Sequence, residues 1–199
     1  SHKIGLSVLY LRRLNASSLL TAETMNSVTK PDFGPKGSTP AILLLEKEGI
    51  SFEIASFTHE VALGDHGYGK AAAMALGVAE ERVFKTLLVA LHGGHSTHGV
   101  GIVPVSGLLS LKAIANALDA KRAEMLEPKA AERMTGYVVG GISPFAQRKK
   151  LPTVIDQTAL LYDSIFVSAG KRGLDIEINS HDLVRVLSAT VADISQSSP

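Results

Sequence analysis

Short β-rich runs and short helical segments alternate irregularly along the chain, and this order limits the fold more than any other feature. A first helix is predicted to open at Ser38-Thr39-Pro40, where hydroxyl caps precede a proline, and to stop at Gly49. Hydrophobic spacing predicts further helices over 70–76, 111–118, 128–134 and 180–189, the last capped by Ser180. It predicts strands over 51–57, 86–91, 99–105, 137–140, 164–168 and 174–178. Because the strands are clustered and not regularly wound, we predict a mixed α/β (α+β-like) fold in which helices surround a barrel-like mixed β-sheet.

The chain is long and apolar enough for one folded domain. It has 199 residues, of which 45% are hydrophobic and 20% are charged. Residues 1–38 contain a Pro, Gly and Lys-rich stretch, so we interpret them as an N-terminal extension and linker, and 39–195 as the domain. Residues 3–22 hold no acidic side chain, which is compatible with a packed arm or with an organelle-targeting segment.

Charge and cysteine content exclude several functional classes. With 20 Lys and Arg against 19 Asp and Glu, the net charge is +1, so no global field draws the protein to DNA, and any RNA contact must be local. The absence of Cys excludes disulfides, thiolate metal sites and a Cys nucleophile. No apolar run approaches the roughly 20 residues that span a membrane. We therefore expect a soluble, cytoplasmic protein.

A metal site is not expected. The spacing of His92, His95 and His98 is suggestive, but the segment is predicted to be a polar hairpin loop without a nearby carboxylate or Cys to complete a coordination sphere.

Two short stretches carry most of the chemical information. Val83-Phe84-Lys85-Thr86-Leu87 places one Lys in an otherwise apolar run, where an ammonium must find a partner or bind an anion. Taken alone, this Lys could instead pack its stem and extend its amino group to water. The stretch 136–144 ends an apolar run in Gly140-Gly141, whose amides could hold a developing oxyanion or could belong to a bulge or turn. Together they indicate a pocket for an acyl or phosphate group.

Two other segments could contribute to such a pocket. Residues 168–173 combine small residues with two cations, although the glycine spacing is not that of a P-loop. Strand alternation then places Asp175 and Glu177 on one face, so Asp175 becomes an orienting group or amine receptor if that face lines a pocket. Arg148-Lys149-Lys150 is either a solvated surface or a grip on a nucleic-acid backbone.

Several motifs in order resemble the YbaK/EbsC family, in its bacterial Cys-tRNA(Pro) deacylase branch. The resemblance runs from about residue 39 to 194, and the motifs that carry it are Thr39-Pro40-Ala41, Val83-Phe84-Lys85-Thr86-Leu87, Gly136-Tyr137-Val138-Val139-Gly140-Gly141-Ile142-Ser143-Pro144, Leu151-Pro152-Thr153-Val154-Ile155-Asp156 and the stretch 167–177. It implies the fold of the editing insertion of bacterial prolyl-tRNA synthetases, and the removal of a wrongly attached amino acid from tRNA(Pro).

The resemblance also implies roles for individual residues. Lys85 matches the essential lysine of the family, expected to hold the terminal adenosine and the carbonyl of the charged tRNA, and with the Gly140 and Gly141 amides it forms the predicted catalytic set. The predicted substrate-binding residues are Thr86, Phe57, Tyr68, Ser143, Ser168 and Asp175. The branch often has Tyr at Phe57 and Phe at Tyr68, so a hydroxyl has moved, which bears on amino-acid preference. The basic side chains Arg148, Lys149, Lys150, Lys171 and Arg172 are predicted to contact the tRNA backbone.

The sequence thus predicts a trans-editing hydrolase that removes Cys from tRNA(Pro), with no cofactor and no metal. For a cysteinyl substrate the resemblance implies attack by the substrate's own thiol, so the pocket supplies geometry and charge. An Ala-tRNA(Pro) deacylase on the same scaffold, or a non-catalytic module that binds tRNA or nucleotide, stays open. Prolyl-tRNA synthetase is a possible partner, and neither DNA nor a membrane is expected to be one.

Overall fold

The computed structural model describes residues 38–57 and 67–197 and the backbone of residues 9–13. The helices are α1 (Pro40–Lys47), α2 (Gly67–Leu76), α3 (Leu111–Ala117), α4 (Pro128–Thr135) and α5 (Ser180–Leu187). The strands are β1 (Leu9–Arg13), β2 (Phe52–Ser56), β3 (Phe84–His92), β4 (His98–Pro104), β5 (Gly107–Leu109), β6 (Arg122–Met125), β7 (Thr153–Asp156), β8 (Ser164–Lys171), β9 (Leu174–Asn179), β10 (Thr190–Ala192) and β11 (Ser195–Ser197). No helix in this described part is long and apolar enough to cross a membrane.

The strands form three sheets of different size. One sheet has the order β1-β2-β9-β8 and is antiparallel throughout. The second has the order β10-β7-β4-β3-β6, in which β7 lies parallel to both of its neighbours while β3 is antiparallel to β4 and β6. Strands β11 and β5 form a small third sheet. The predicted mixed α/β class is confirmed, and within the described ranges the sheets do not close into a barrel.

The predicted extension lies outside the described residues, apart from β1. That strand pairs with β2, so five residues of the extension form an edge of the first sheet. The domain boundary at residue 38 stays a prediction.

Helix ends follow the cap rules, with one correction. Thr39 caps α1 as predicted, because its side chain accepts a hydrogen bond from the Ile42 N–H at 3.2 Å. Helix α5 is capped by the Asn179 side chain and not by Ser180. Ser180 is fully buried, and its hydroxyl donates to the carbonyl of Tyr162 at 2.8 Å. The Ser180 side chain therefore bonds another segment of the chain and does not cap the helix.

The predicted strand over 137–140 is wrong, because these residues form a turn. The Gly141 N–H donates to the Val138 carbonyl at 2.9 Å, and Gly140 has a φ of 85°. A positive φ at the third position of such a turn is typical of type II. The strand prediction counted Tyr137 as one residue of an apolar run. In the structure its hydroxyl is buried and donates a hydrogen bond to the Phe145 carbonyl at 2.8 Å. Burial raises the pKa of Tyr137 to about 12, so the phenol stays a donor.

One junction joins the two larger sheets. Val83, just before β3, forms a parallel bridge with Phe166 of β8. The Arg82 guanidinium lies 5.3 Å from the Phe166 ring and donates to the side chains of Ser164 and Glu177, both at 2.9 Å. A buried apolar cluster covers this junction, formed by the α2 side chains together with Val83 and Phe166. The start of β3 is therefore fixed against β8 and β9.

Candidate active site

A cavity of about 320 Å³ lies where the two larger sheets meet. Its walls come from β3, from the first turns of α2, from the β8–β9 hairpin, from the segment 125–131 and from the turn at 139–142. Most of the lining is apolar. Seven predicted site residues line it: Phe57, Tyr68, Lys85, Thr86, Gly140, Ser168 and Asp175. A mainly apolar hollow with a few convergent polar groups is the usual form of a binding site.

Lys85 supplies the positive charge of the cavity. It is the second residue of β3, half-buried, and its amino group donates to the Gly107 carbonyl at 2.7 Å. It forms no ion pair with a carboxylate of the described residues. Burial, and to a smaller extent the charge of Lys70, lowers the pKa of Lys85. A desolvated cation with a neutral partner keeps its charge available for an incoming oxygen.

Thr86 contributes a buried hydroxyl beside Lys85. Only 8% of the residue is exposed, and its Oγ1 has no hydrogen-bond partner in the described part of the chain. Such a group costs free energy unless something else satisfies it. Thr86 lines the cavity, but its Oγ1 is itself buried, so the side chain must rotate before a bound molecule can supply the missing bond.

The two glycines of the predicted pair have different roles. Gly140 lines the cavity, and no described residue accepts a hydrogen bond from its N–H. A Cβ placed on Gly140 would lie 2.7 Å from Cδ2 of Tyr68, so the backbone approaches that ring closely. Gly141 lies outside the lining, and its N–H is already bound to the Val138 carbonyl. The expectation that both amides are free is therefore wrong for Gly141.

Ser168 and Asp175 form the opposite wall. They are directly paired across β8 and β9, and both line the cavity. The Ser168 hydroxyl accepts a hydrogen bond from the Gly170 N–H at 3.2 Å. Asp175 is 7% exposed, its carboxyl accepts no hydrogen bond from the described residues, and burial raises its pKa to about 7. The predicted shared face of Asp175 and Glu177 is confirmed, and only Asp175 reaches the cavity.

The remaining predicted residues lie elsewhere. Ser143 is fully buried outside the lining, where its hydroxyl accepts from the Phe145 N–H at 3.3 Å, so its observed contacts belong to a turn. Arg148, Lys149 and Lys150 are exposed, and their segment packs against the end of α4 through the bonds Arg148 N–H to Thr135 O and Lys149 N–H to Met134 O. Lys171 and Arg172 are exposed at the tip of the β8–β9 hairpin.

The histidines do not gather. His92 lies 3.6 Å from Glu124 in an exposed pair, so the expectation of no nearby carboxylate is wrong for this residue. His98 contacts the Thr97 hydroxyl. In the described ranges, no three His, Cys, Asp or Glu side chains are grouped as metal ligands.

One wall of the cavity was missed from the sequence. The wall consists of Met125 at the end of β6, Leu126 just after it, and Pro128 and Ala131 of α4. The signal for α4 was present in Pro128, but β6 has the sequence Arg-Ala-Glu-Met, which lacks β-branched residues. The sequence therefore did not indicate that the end of β6 lines the cavity.

Comparison with known proteins identifies the family of this chain. A family model described as "Aminoacyl-tRNA editing domain" matches residues 68–186, which include six of the seven cavity residues named above. The "Putative Cys-tRNA(Pro)/Cys-tRNA(Cys) deacylase EbsC" of Enterococcus faecalis is 33% identical over 157 residues, covering 79% of this chain and 93% of that protein. The "Multifunctional Ser/Thr-tRNA deacylase ProXp-y" of Escherichia coli K12 is 28% identical over 147 residues, covering 73% and 84%.

A solved structure shares the fold. A "putative trans-editing enzyme for prolyl tRNA synthetase" superimposes with a TM-score of 0.67 at 20% identity, covering 80% of this chain and 99% of that one. The predicted resemblance to the YbaK/EbsC family is confirmed by these matches. The chain belongs to the aminoacyl-tRNA editing domain family and is an aminoacyl-tRNA deacylase, a hydrolase of ester bonds.

Proposed function

We propose that this deacylase acts in trans on mischarged tRNA(Pro), and that its principal substrate is Cys-tRNA(Pro). The observation that carries the proposal is that Lys85, Thr86, Gly140, Ser168 and Asp175 line one cavity, together with a hydroxyl and an amide that no described residue binds. The name of the Enterococcus faecalis relative supports the choice of cysteine.

In the proposed reaction Lys85 and the Gly140 N–H stabilise the carbonyl oxygen of the ester as negative charge develops on it. An amine and an amide donor that are already desolvated need little reorganisation to do this. The Lys85 ammonium donates to the Gly107 carbonyl at 2.7 Å, which leaves two of its three N–H donors for substrate oxygens. The remaining rate acceleration comes from orienting the substrate, because an aminoacyl ester is already activated.

The nucleophile in this proposal is the thiol of the substrate. Its sulfur loses its proton and bonds to the ester carbonyl carbon, and the bond to the ribose oxygen breaks. That oxygen takes up one proton, so the ribose hydroxyl is restored and the step is balanced. Water then opens the cyclic thioester to give free cysteine. This route is supported by the lack of Cys in the chain and by the lack, among the described residues, of an imidazole bonded to Ser168 or Thr86.

The opposite wall is proposed to receive the amino group of the substrate. Asp175 is buried, no described residue hydrogen-bonds its carboxyl, and the pKa of about 7 makes it partly ionised at neutral pH. A substrate ammonium would supply the missing positive charge and favour the ionised form. Ser168, paired with Asp175 across the strands, is the neighbouring polar contact.

The tRNA body is proposed to run from the cavity along α4. Pro128 and Ala131 of α4 line the cavity, and Arg148, Lys149 and Lys150 are exposed at the far end of that helix. Phosphate contacts from such side chains fix register and make binding salt-dependent. Lys171 is a further proposed contact. An encounter with prolyl-tRNA synthetase in the cytoplasm, where the mischarged product is made, completes the proposal.

A second candidate is a Ser- or Thr-specific deacylase. The name of the Escherichia coli relative favours it, and a cavity with four polar side chains besides Lys85 could bind a hydroxyl as well as a thiol. Water would then be the nucleophile in this candidate reaction, because a seryl or threonyl ester carries no thiol. An alanyl substrate is the third possibility.

The experiment is a deacylation panel on tRNA(Pro) charged with Cys, Ala, Ser, Thr and Pro. We expect Cys to be released fastest and S-methylcysteine, which lacks a free thiol, to be released at least about tenfold more slowly. Fast release of S-methylcysteine would contradict thiol attack, and a preference for Ser or Thr would favour the second candidate. Tight tRNA binding without any release would favour a non-catalytic module.

A Lys85→Ala variant tests the catalytic assignment within the same panel. We expect kcat/KM to fall by about 100- to 1,000-fold, as for loss of one oxyanion donor. The matched control is Lys112→Ala, on the exposed face of α3 and outside the cavity, which should react like the parent. Parental activity in Lys85→Ala would refute the central role of this lysine.

A further inference from the structure

We propose that Arg172 is a positioning residue that sets the orientation of the Val139–Gly140 peptide group, rather than a contact for the tRNA backbone. The inference rests on the proposed function in one respect, namely that the Gly140 N–H acts on the substrate. It goes beyond that function because Arg172 lies outside the cavity lining and acts through the backbone of another segment.

The geometry begins with a hydrogen bond to the turn. Nε of Arg172 donates to the Val139 carbonyl at 2.8 Å, across 33 residues of sequence. The carbonyl of Val139 and the N–H of Gly140 belong to the same planar peptide group. In a trans peptide they point in opposite directions. A donor that holds the carbonyl on one side therefore fixes the N–H on the other side.

The turn has two forms that differ by rotation of this peptide group. Types I and II share the bond between the first and fourth residues, here Gly141 N–H to Val138 O, and differ in the sign of φ at the third residue. Gly140 has φ 85°, which corresponds to the type II form. Glycine adopts either sign readily, so its own preference does not decide between them. The hydrogen bond from Arg172 therefore selects the type II form of the turn.

A second contact fixes the arginine itself. Its guanidinium carbon lies 4.8 Å from the centroid of the Tyr68 ring, a cation–π distance, and the same ring packs against Gly140. Arg172, Tyr68 and the peptide thus form one contiguous stack from α2 to the β8–β9 hairpin. On the other side of Val139, its N–H donates to Oε1 of Glu132 at 2.9 Å. The peptide before Val139 is held by α4, so only the Val139–Gly140 peptide depends on Arg172.

Charge adds to orientation. A hydrogen bond from a guanidinium polarises the carbonyl, and a polarised peptide is a stronger N–H donor at its opposite end. The Gly140 amide would gain strength as well as direction. A lysine at this position keeps the charge but lacks the planar guanidinium that both donates and stacks.

The experiment compares Arg172→Lys, Arg172→Ala and Lys171→Ala. Lys171 is the exposed neighbour with no equivalent bond to the turn, and it stays a proposed phosphate contact. The substrates are Cys-tRNA(Pro) and the cysteinyl ester of adenosine, which lacks the phosphates of the tRNA body. tRNA affinity is measured at several salt concentrations.

We expect both Arg172 variants to lose about 10- to 100-fold in kcat on either substrate, with KM and the salt dependence of tRNA binding unchanged. Lys171→Ala should show the reverse, with weaker tRNA binding and a salt slope reduced by about one. The inference is overturned if Arg172→Lys is as fast as the parent, or if Arg172→Ala weakens tRNA binding but cleaves the adenosine ester normally.

An NMR measurement keeps the inference testable apart from catalysis. The Gly140 amide resonance should shift markedly in Arg172→Lys and not in Lys171→Ala, and an unchanged resonance in Arg172→Lys would overturn the proposal. If Arg172→Ala fails to fold, Arg172→Lys and Arg172→Gln carry both measurements. A parent protein that releases no amino acid would refute the proposed function, while the amide measurement would still decide the role of Arg172.

Discussion

Two buried aspartates show how the scaffold differs from the cavity. Asp156 is fully buried at the end of β7, and its carboxylate accepts hydrogen bonds from Thr158 and from the N–H groups of Ile194 and Ser195. Burial alone would raise its pKa, but these bonds outweigh burial and lower the pKa. Asp175 is nearly as buried and receives no such bond within the described residues, so burial raises its pKa to about 7.

The same contrast separates two buried threonines. The Thr135 hydroxyl donates to the Ala131 carbonyl at 2.8 Å and accepts from the Tyr137 N–H at 3.2 Å, and it ends α4. Thr86 lines the cavity, and its buried hydroxyl has no partner in the described chain. Polar groups that are satisfied internally stabilise the fold, whereas unsatisfied ones carry a cost that a bound substrate can offset. The contrast therefore identifies which polar groups belong to function.

The largest expected effect is on the scaffold side. Asp156→Ala leaves several buried donors without an acceptor, so we expect the free energy of unfolding to fall by about 4 kcal/mol. Asp182→Ala, which removes only an exposed ion pair with Arg185, should cost about 0.5 kcal/mol. Urea unfolding of both variants gives the comparison. If the free energy of unfolding fell equally in the two variants, the bonds of Asp156 would not stabilise the fold more than an exposed ion pair does.

The pH dependence of Asp156 has a definite sign. Because its pKa is lower in the folded state, its contribution is present above the ordinary pKa of 3.8 and is lost as the pH falls below it. The difference in the free energy of unfolding between the parent and Asp156→Ala should therefore shrink as the pH falls below about 4.

Asp175→Asn should show the opposite pH dependence. A folded-state pKa of about 7, raised from 3.8, means that the parent loses stability as the pH rises from about 4 to 7 and is level above that. Between pH 5 and 8 the loss should amount to roughly 2 to 3 kcal/mol. The Asn variant cannot ionise, so its unfolding free energy should lack this decline. Parallel pH profiles for parent and variant would mean that Asp175 is satisfied by a group outside the described residues.

Local patterns predicted much of the fold. The cap at Thr39, the β3–β4 hairpin and the alternation in β9 follow from interactions within a few residues, and all three are confirmed. The strand predicted over 137–140 was wrong because an apolar run resembles a strand until the partners of its N–H groups are known. Those partners, such as Glu132 for Val139, come from another element.

The site was predictable as a set of residues but not as an arrangement. Motifs predicted that Lys85 and Asp175 share a pocket, and both residues line the cavity. The junction that brings their two walls together was not predicted. It depends on Arg82, which reaches Glu177 across 95 residues of sequence. Likewise the bond from Arg172 to Val139 joins segments that no periodicity connects. Long-range polar contacts of this kind need coordinates.

The smallest expected effect is also the most direct test of the contrast between the two threonines. Thr86→Val replaces an unsatisfied hydroxyl by a methyl group of similar size, so stability should stay equal or rise by up to about 1 kcal/mol. Thr135→Val breaks two internal bonds and should cost about 1 to 2 kcal/mol, although both sites are buried. If the Thr86 hydroxyl bonds the substrate, KM of Thr86→Val should rise about two- to tenfold. Thermal unfolding and deacylation kinetics measure both, and a Thr86→Val protein as destabilised as Thr135→Val would show that the hydroxyl is satisfied within the protein.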